Sequence, residues 1–388
     1  MGDPSLRVDL VIFVGRPGPS PVEHTVALVR QAAALDLISL AQACDLVGKI
    51  VVVTPVTAIA DHLDGHVVHV DLDDAGEPFH FGRRLASVVD RFSIRHALYF
   101  GEGAAPLLSQ RTLTRLCNTL LTGQSLVSAN NFWSADFLGW TPASAIHQVD
   151  LPARRDNLLA VLLQRQAGLT RADLPASAGS LFDIDTPPDI AILNLHHGTY
   201  RHTRAALQAV PWGQDGWQDS QLAEIMPHLV RPGAEVCLVG RVSNSAFGGL
   251  RQDLACRLRI YAEERGMQAS GRDRRGEVRS LLGVLLEQVG PTGFFAALAA
   301  VGADAVLMDT RVLFRHLGLD VSAADRFYSD LGCVEKIRNA EVRSFTAAAC
   351  AAPMQVALGG QSLVGGGLWA LTEAAWERAD AGSLLTVR

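Results

Sequence analysis

Through the first half of the chain, short runs that are apolar at nearly every position alternate with longer stretches that are apolar on one face. Val8-Asp9-Leu10-Val11-Ile12-Phe13-Val14 stops abruptly at Gly15, and the loop Gly15-Arg16-Pro17-Gly18-Pro19-Ser20-Pro21 leads into a helical stretch from about Val22 to Leu46. Ile50-Val51-Val52-Val53-Thr54 and Val67-Val68-His69-Val70 read as further strands. A helix over about Arg83 to Phe92 precedes Ala97-Leu98-Tyr99-Phe100, which ends at Gly101-Glu102-Gly103. Strands without polar alternation belong in a sheet covered on both faces, the mostly parallel sheet of an α/β protein. Such sheets take ligands beyond the carboxyl ends of their strands, which directs attention to the loops after Val14 and Phe100. Neither loop is a GxGxxG motif or a P-loop.

Past about residue 195 the pattern turns helical and rich in alanine, leucine and arginine. Leu254, Leu258, Tyr261 and Ala262 fall at helical spacing and predict an amphipathic helix from Gln252 to Gly266. Further helices are expected over about Glu277 to Val289, Pro291 to Val301 and Ala305 to Leu317. A chain of 388 residues suits two domains. The change of pattern places an α/β domain at 1–195 and a mainly helical domain at 196–388.

Composition narrows the classes. Apolar residues make up 48% and charged residues 19%, enough for packed cores and unlike a disordered chain. A net charge of −6 argues against a nucleic-acid polymer as partner. Lysine occurs only at Lys49 and Lys336, so arginine carries the positive charge and favours planar, bidentate partners such as phosphate. No apolar stretch has the length expected of a membrane span, and no signal-peptide segment precedes the first charged residues. The six cysteines (Cys44, Cys117, Cys237, Cys256, Cys333 and Cys350) lie far apart without a CxxC pair. Buried, reduced thiols in a cytoplasmic protein are expected.

The densest chemistry lies in Phe182-Asp183-Ile184-Asp185-Thr186-Pro187-Pro188-Asp189, three carboxylates closed by two prolines. Acids this close repel one another unless a cation sits among them, and an oxygen-rich turn is what Mg²⁺ prefers. The plainer alternative is a helix N-terminus, with Asp185 or Thr186 as the cap and Asp189 in the first turn. Upstream, Ser128-Ala129-Asn130-Asn131-Phe132-Trp133-Ser134-Ala135-Asp136 combines amides with aromatics. It suits either a nucleobase or sugar contact or a turn made by the Asn pair.

These segments resemble the nucleotidyltransferase superfamily with a GT-A-like, Rossmann-related fold, in particular its molybdenum-cofactor and lactyl-phosphate nucleotidyltransferase branch. Phe182 to Asp189 matches the family's Asp-x-Asp-Thr-Pro-x-Asp segment, Tyr99 to Ser109 is similar to its middle motif, and Val11 to Arg16 to its first. The likeness spans about residues 7–195. It implies Mg²⁺-dependent transfer of a nucleotidyl group from a nucleoside triphosphate to a small phosphorylated or hydroxylated acceptor. On that basis Asp183, Asp185 and Glu102 would hold metal, and Arg16 would contact phosphate. Gly15, Gly101 and Gly103 would bring backbone to the nucleotide, with Asn130 and Asn131 facing base or sugar. Two positions depart from the family: Ala104 stands where a metal-binding Asp is usual, and the first loop carries Pro17, Pro19 and Pro21 in place of a Lys. Glu102 and Arg16 are the available substitutes.

Three further clusters invite a functional reading beside a structural one. His196, His197 and His202 could ligate a transition metal or simply open a polar helix. Arg272, Arg274, Arg275 and Arg279 could hold an anion or pair with neighbouring acids. The glycines from Gly359 to Gly367 could cradle an anion or permit tight helix packing. Two functions from different classes therefore stand: an Mg²⁺-dependent nucleotidyltransferase, and a catalytically inactive nucleotide- or ligand-binding protein. In the second, the helical half serves oligomerisation or partner contact, a homodimer among the options.

Overall fold

The computed structural model describes residues 7–56, 68–73, 78–150, 157–242, 248 and 253–386. The chain forms two compact units, one of residues up to 17 with 30–175, the other of residues 18–29 with 176–388. In the first, β1 (Val8–Phe13) is followed by the part of α1 (Pro21–Gln42) from residue 30 onward, then β2 (Val47–Thr54), β3 (Val68–Leu72) and α2 (Phe81–Arg91). Then come β4 (Ala97–Gly101), α3 (Gln110–Thr122), β5 (Leu126–Ala129), β6 (Phe137–Thr141), α4 (Leu159–Arg165) and β7 (Thr170–Asp173). Val67, read as part of the third strand, lies outside the described residues.

Among the described residues these strands form one seven-stranded sheet in the order β3-β2-β1-β4-β6-β5-β7. Only β6 runs antiparallel to its neighbours. Successive side chains of a strand point to opposite faces, and both faces here are covered. Val11, Val51 and Tyr99 pack with Leu85 and Val88 of α2. Leu10, Ile12, Ile50 and Phe100 pack with Leu37 of α1 and Leu113 of α3. That double coverage is why the strands read as unbroken apolar runs. The first unit is thus the mostly parallel, doubly covered α/β sheet that the strand pattern predicted.

The second unit contains α5 (Ala178–Leu181), α6 (Pro187–Leu195), α7 (Arg201–Gln208), α8 (Ser220–Leu229), β8 (Glu235–Gly240) and β9 (Arg257–Ala262). It continues with α9 (Leu281–Ala300), β10 (Ala305–Asp309), α10 (Thr310–His316), α11 (Ala323–Asp330), α12 (Ala340–Cys350), β11 (Gln355–Gly359) and α13 (Gly366–Thr386). Helices predominate, as expected, but they flank a parallel four-stranded sheet ordered β11-β10-β8-β9. The amphipathic helix expected to end at Gly266 is replaced by strand β9; its first position, Gln252, lies outside the described residues. Leu258, Tyr261 and Ala262 satisfy helical spacing, yet pairing with β8 decides the conformation of an edge segment whose exposed Arg257 and Arg259 alternate with Leu258 and Ile260. The helix expected over Ala305 to Leu317 begins only at Thr310, where Asp309 caps it by accepting from Arg311 N.

Two further expectations can be placed. All six cysteines are free, and burial pushes the Cys117 thiol up to about 12. Among the described residues one helix, α9, is long and apolar enough to cross a membrane by length and composition. Its backbone leaves helical geometry at Gly290 (φ 69°), and Phe294, Phe295 and Leu298 sit in the core of the unit.

Candidate functional site

An opening in the first unit lies at the carboxyl ends of β1, β2 and β3, closed on one side by α2. It is a cleft of about 940 Å³ whose lining includes Gly15 and Arg16. Helix α2 starts where the His80 Nδ1 accepts from Arg83 N at 3.3 Å. It buries Phe81, Leu85, Val88 and Val89 against the sheet. The opposite stripe, Arg83, Ser87 and Arg91, is spaced by four and therefore shares one face, which lines the cleft with Arg84.

The cations of this wall differ in what holds them. Arg84 donates to Asp71 Oδ2 at 2.9 Å and to Asp73 Oδ1 at 3.0 Å. Burial works against its charge, but the two carboxylates outweigh that and raise its pKa. Arg91 donates to the other oxygen of Asp71 at 2.6 Å. Arg16 and Arg83 have no carboxylate partner among the described residues. Beside them Phe79 shows 51% of its surface, held edge-on to Phe13 at 6.1 Å. The cleft thus joins two uncommitted guanidinium groups to an open aromatic face.

Glu102, read as a metal ligand, serves here as a strut between two loops. Its Oε2 accepts from Gly15 N at 3.2 Å, and its backbone carbonyl accepts from Arg30 at 3.0 Å. The side chain is 8% exposed, and Oε1 is buried without a hydrogen-bond partner. Burial pushes the carboxyl above its ordinary value, against the opposing effects of Arg30 and the Gly15 amide. The turn is completed by Gly103 (φ 80°) and by Ala105 (φ 53°), with Ala104 buried between them. Gly101 closes β4 by donating its N–H to Asp136 O at 2.9 Å.

The Asn pair divides. Asn130 is spent on structure: Oδ1 accepts from Asp136 N (3.0 Å) and Phe137 N (3.3 Å), and Nδ2 donates to Asp136 Oδ2 at 2.8 Å. Asn131 closes a turn by accepting from Ser134 N at 3.1 Å. The adjoining rings are covered by arginines, Arg171 over Phe132 at 4.7 Å and Arg165 over Trp133 at 5.6 Å. Neither residue lines the cleft.

The acidic turn belongs to the second unit and opens helix α6. Asp189 is fully buried, and its Oδ2 accepts from Asp185 N (3.0 Å), Thr186 N (2.7 Å) and Thr186 Oγ1 (2.8 Å). Its Oδ1 is buried and unpartnered. Burial, helped by the nearby Asp185 charge, pushes the carboxyl up to about 7. Asp185 is exposed, and the carbonyl of Asp183 accepts from Ser362 Oγ at 2.9 Å. This is the helix-start alternative, with Asp189 reaching back to Thr186. Among the described residues no group of three or more His, Cys, Asp or Glu side chains is gathered to hold a metal ion. Glu102 already faces a cation, Arg30, whose Nε lies 4.0 Å from its Oε2, and Asp189 is committed to donors at Asp185 and Thr186. The residues present therefore do not fit a magnesium site.

The remaining clusters resolve structurally. Nδ1 of His196 accepts from Gly198 N at 3.0 Å, which leaves the proton on Nε2, 3.2 Å from Glu373 Oε2. Arg272 forks onto Glu264 (2.7 and 2.9 Å) and Arg275 onto Glu277 (2.7 and 2.9 Å). At Gly366 an added Cβ would lie 2.0 Å from the carbonyl oxygen of Leu181, so that glycine serves close packing. Lys49 donates to Phe92 O at 2.8 Å, remote from any loop role. What sequence reasoning missed is the arginine face of α2, a helix it did expect: Arg83, Arg84 and Arg91 close behind Asp71 and Asp73 were a legible signal of a charged wall at a strand end.

No protein-family model matches the chain, and no curated protein matches it. Solved structures do. A cytidylyltransferase of Leptospira borgpetersenii is 14% identical, with 53% of this chain and 94% of that one covered at a TM-score of 0.39. A protein of Desulfovibrio desulfuricans G20 described as a nucleotide-diphospho-sugar transferase gives 14%, 52%, 94% and 0.39. A 4-diphosphocytidyl-2C-methyl-D-erythritol synthase gives 14%, 49%, 98% and 0.34. Likeness of this degree fixes no substrate, metal or reaction for this chain.

Proposed function

We propose that the first unit binds a nucleotide in the arginine-lined cleft, with Arg16 and Arg83 on its phosphates and Phe79 against its base. The observation that carries this reading is two guanidinium groups without carboxylate partners among the described residues, sharing one cleft with a half-exposed aromatic ring. Guanidinium forks match phosphate oxygens bidentately, and an aromatic face accepts a base by stacking. A volume near 940 Å³ leaves room for a small acceptor beside the nucleotide. Nucleotidyl transfer to a phosphorylated or hydroxylated acceptor is the narrower form of the proposal, favoured by the first-motif residues Gly15 and Arg16 lying in that cleft. The donor set does not suit Mg²⁺, so the binding role rests on arginine alone.

The test is a thermal-shift and calorimetric panel of ATP, GTP, CTP and UTP, each with and without Mg²⁺, on wild type, Arg16→Gln and Arg83→Gln. One nucleotide should raise the melting temperature, and each substitution should weaken it by about 10-fold or more, the worth of a charged hydrogen bond. A nucleotide bound equally by all three proteins, or no binding at all, refutes the assignment. A Mg²⁺ requirement that vanishes in Asp185→Ala would instead restore the metal-dependent transferase.

A further inference from the structure

The carboxyl ends of the parallel strands in the second unit carry a separate set of buried charges. Strand β8 ends at Gly240 (φ 111°), where a Cβ would lie 2.6 Å from that of Asp309, so only glycine delivers Arg241 onto Asp309. Arg241 forks onto Asp309 at 2.5 and 3.1 Å. Arg311 forks onto Asp330 at 2.5 and 2.6 Å and donates to Gly359 O at 2.9 Å. Both aspartate side chains are wholly buried, and each is consumed by one arginine.

Arg326, four positions before Asp330 on α11, is left over. Its Nε is buried with no hydrogen-bond partner. Burial depresses its pKa, the charges of Arg311, Arg315 and Arg241 add to the effect, and Asp330 only partly opposes it. Arg326 lines a cavity of about 30 Å³ together with Arg311, Arg315, Gln268 and Asp273. Among the described residues Arg315 pairs only with Asp320, at 3.5 Å, a carboxylate 98% exposed, and so is weakly held. With Arg311 already matched by Asp330, the lining sets two guanidiniums, Arg315 and Arg326, against one carboxylate, Asp273. A buried guanidinium Nε without an acceptor is unfavourable, and a doubly charged oxyanion is the complement that forked donors match best. The cavity also lies where parallel sheets take their ligands.

From this we infer that the cavity is a phosphate site, with Arg326 and Arg315 as its donors. A space of about 30 Å³ holds little more than one small group. It takes free phosphate or the phosphoryl end of a ligand whose remainder lies outside.

The experiment uses the full chain, titrated calorimetrically with inorganic phosphate and separately with glycerol phosphate against a chloride background. Wild type should bind, Arg326→Gln should bind about 10-fold more weakly or worse, and Arg171→Gln, which alters an exposed pair with Asp173 in the other unit, should match wild type. Should Arg326→Gln fail to fold, Arg315→Gln is expected to show the same loss. Tighter binding of the monoester identifies a phosphorylated ligand, and binding of phosphate alone identifies the free ion; both support the site. Equal affinity in Arg326→Gln or, if that variant fails to fold, in Arg315→Gln, loss confined to Arg171→Gln, or no heat up to about 20 mM overturns it.

Discussion

Replacing Asp189 by Asn should stabilise the protein, and do so more as pH rises. In the folded state burial pushes this carboxyl up to about 7, whereas an unfolded aspartate titrates near ~4. Between those values the native state holds a proton that the unfolded state has released. Stability from this group is therefore complete below about pH 4 and is lost as pH rises towards 7. A gap of about three pH units at about 1.4 kcal/mol each gives a cost near 4 kcal/mol at neutral pH, as an upper figure. Asn is isosteric with the protonated acid: its carbonyl can accept from Asp185 N, Thr186 N and Thr186 Oγ1 as Oδ2 does now. Its amide then occupies the place of the unpartnered Oδ1. The assay is urea unfolding of wild type and Asp189→Asn from pH 4 to pH 8. The variant should gain on wild type across that window and level off above pH 7. Parallel curves, or a variant less stable than wild type at pH 8, would refute the reasoning.

Two other substitutions separate packing from ligand contact. Asn130→Ala removes the bonds to Asp136 and Phe137 and should cost about 1–3 kcal/mol in unfolding free energy. Nucleotide affinity should be unchanged, and a fall in affinity measured by calorimetry would return Asn130 to the site. Gly366→Ala drives a Cβ towards the Leu181 carbonyl and should lower stability by roughly 3 kcal/mol. A melting temperature equal to wild type would show that α13 can move away at no cost.

Much of the first unit was legible in the sequence because its strands are buried on both faces. A residue such as Val11 and its neighbour Ile12 point to opposite sides, yet both meet apolar partners, so the run shows no polar interruption. Gly15 and Arg16 were legible as a strand-end loop for the same reason, since such loops are where a parallel sheet exposes backbone. Strand β9 was not legible: it is an edge, its arginines face outward, and the few apolar positions left fit a helix as well as a strand until β8 supplies a partner. The acidic turn shows the same limit in chemistry. Its composition determined that carboxylates would crowd a Pro-Pro helix start, but only burial decided that Asp189 would turn inward to the Thr186 backbone and leave Asp185 outside. Residue types and local spacing are properties of the chain. Which arginines keep an acid, as Arg84 keeps Asp71, and which find none among the described residues, as Arg16 and Arg83, depends on strands that meet only in three dimensions.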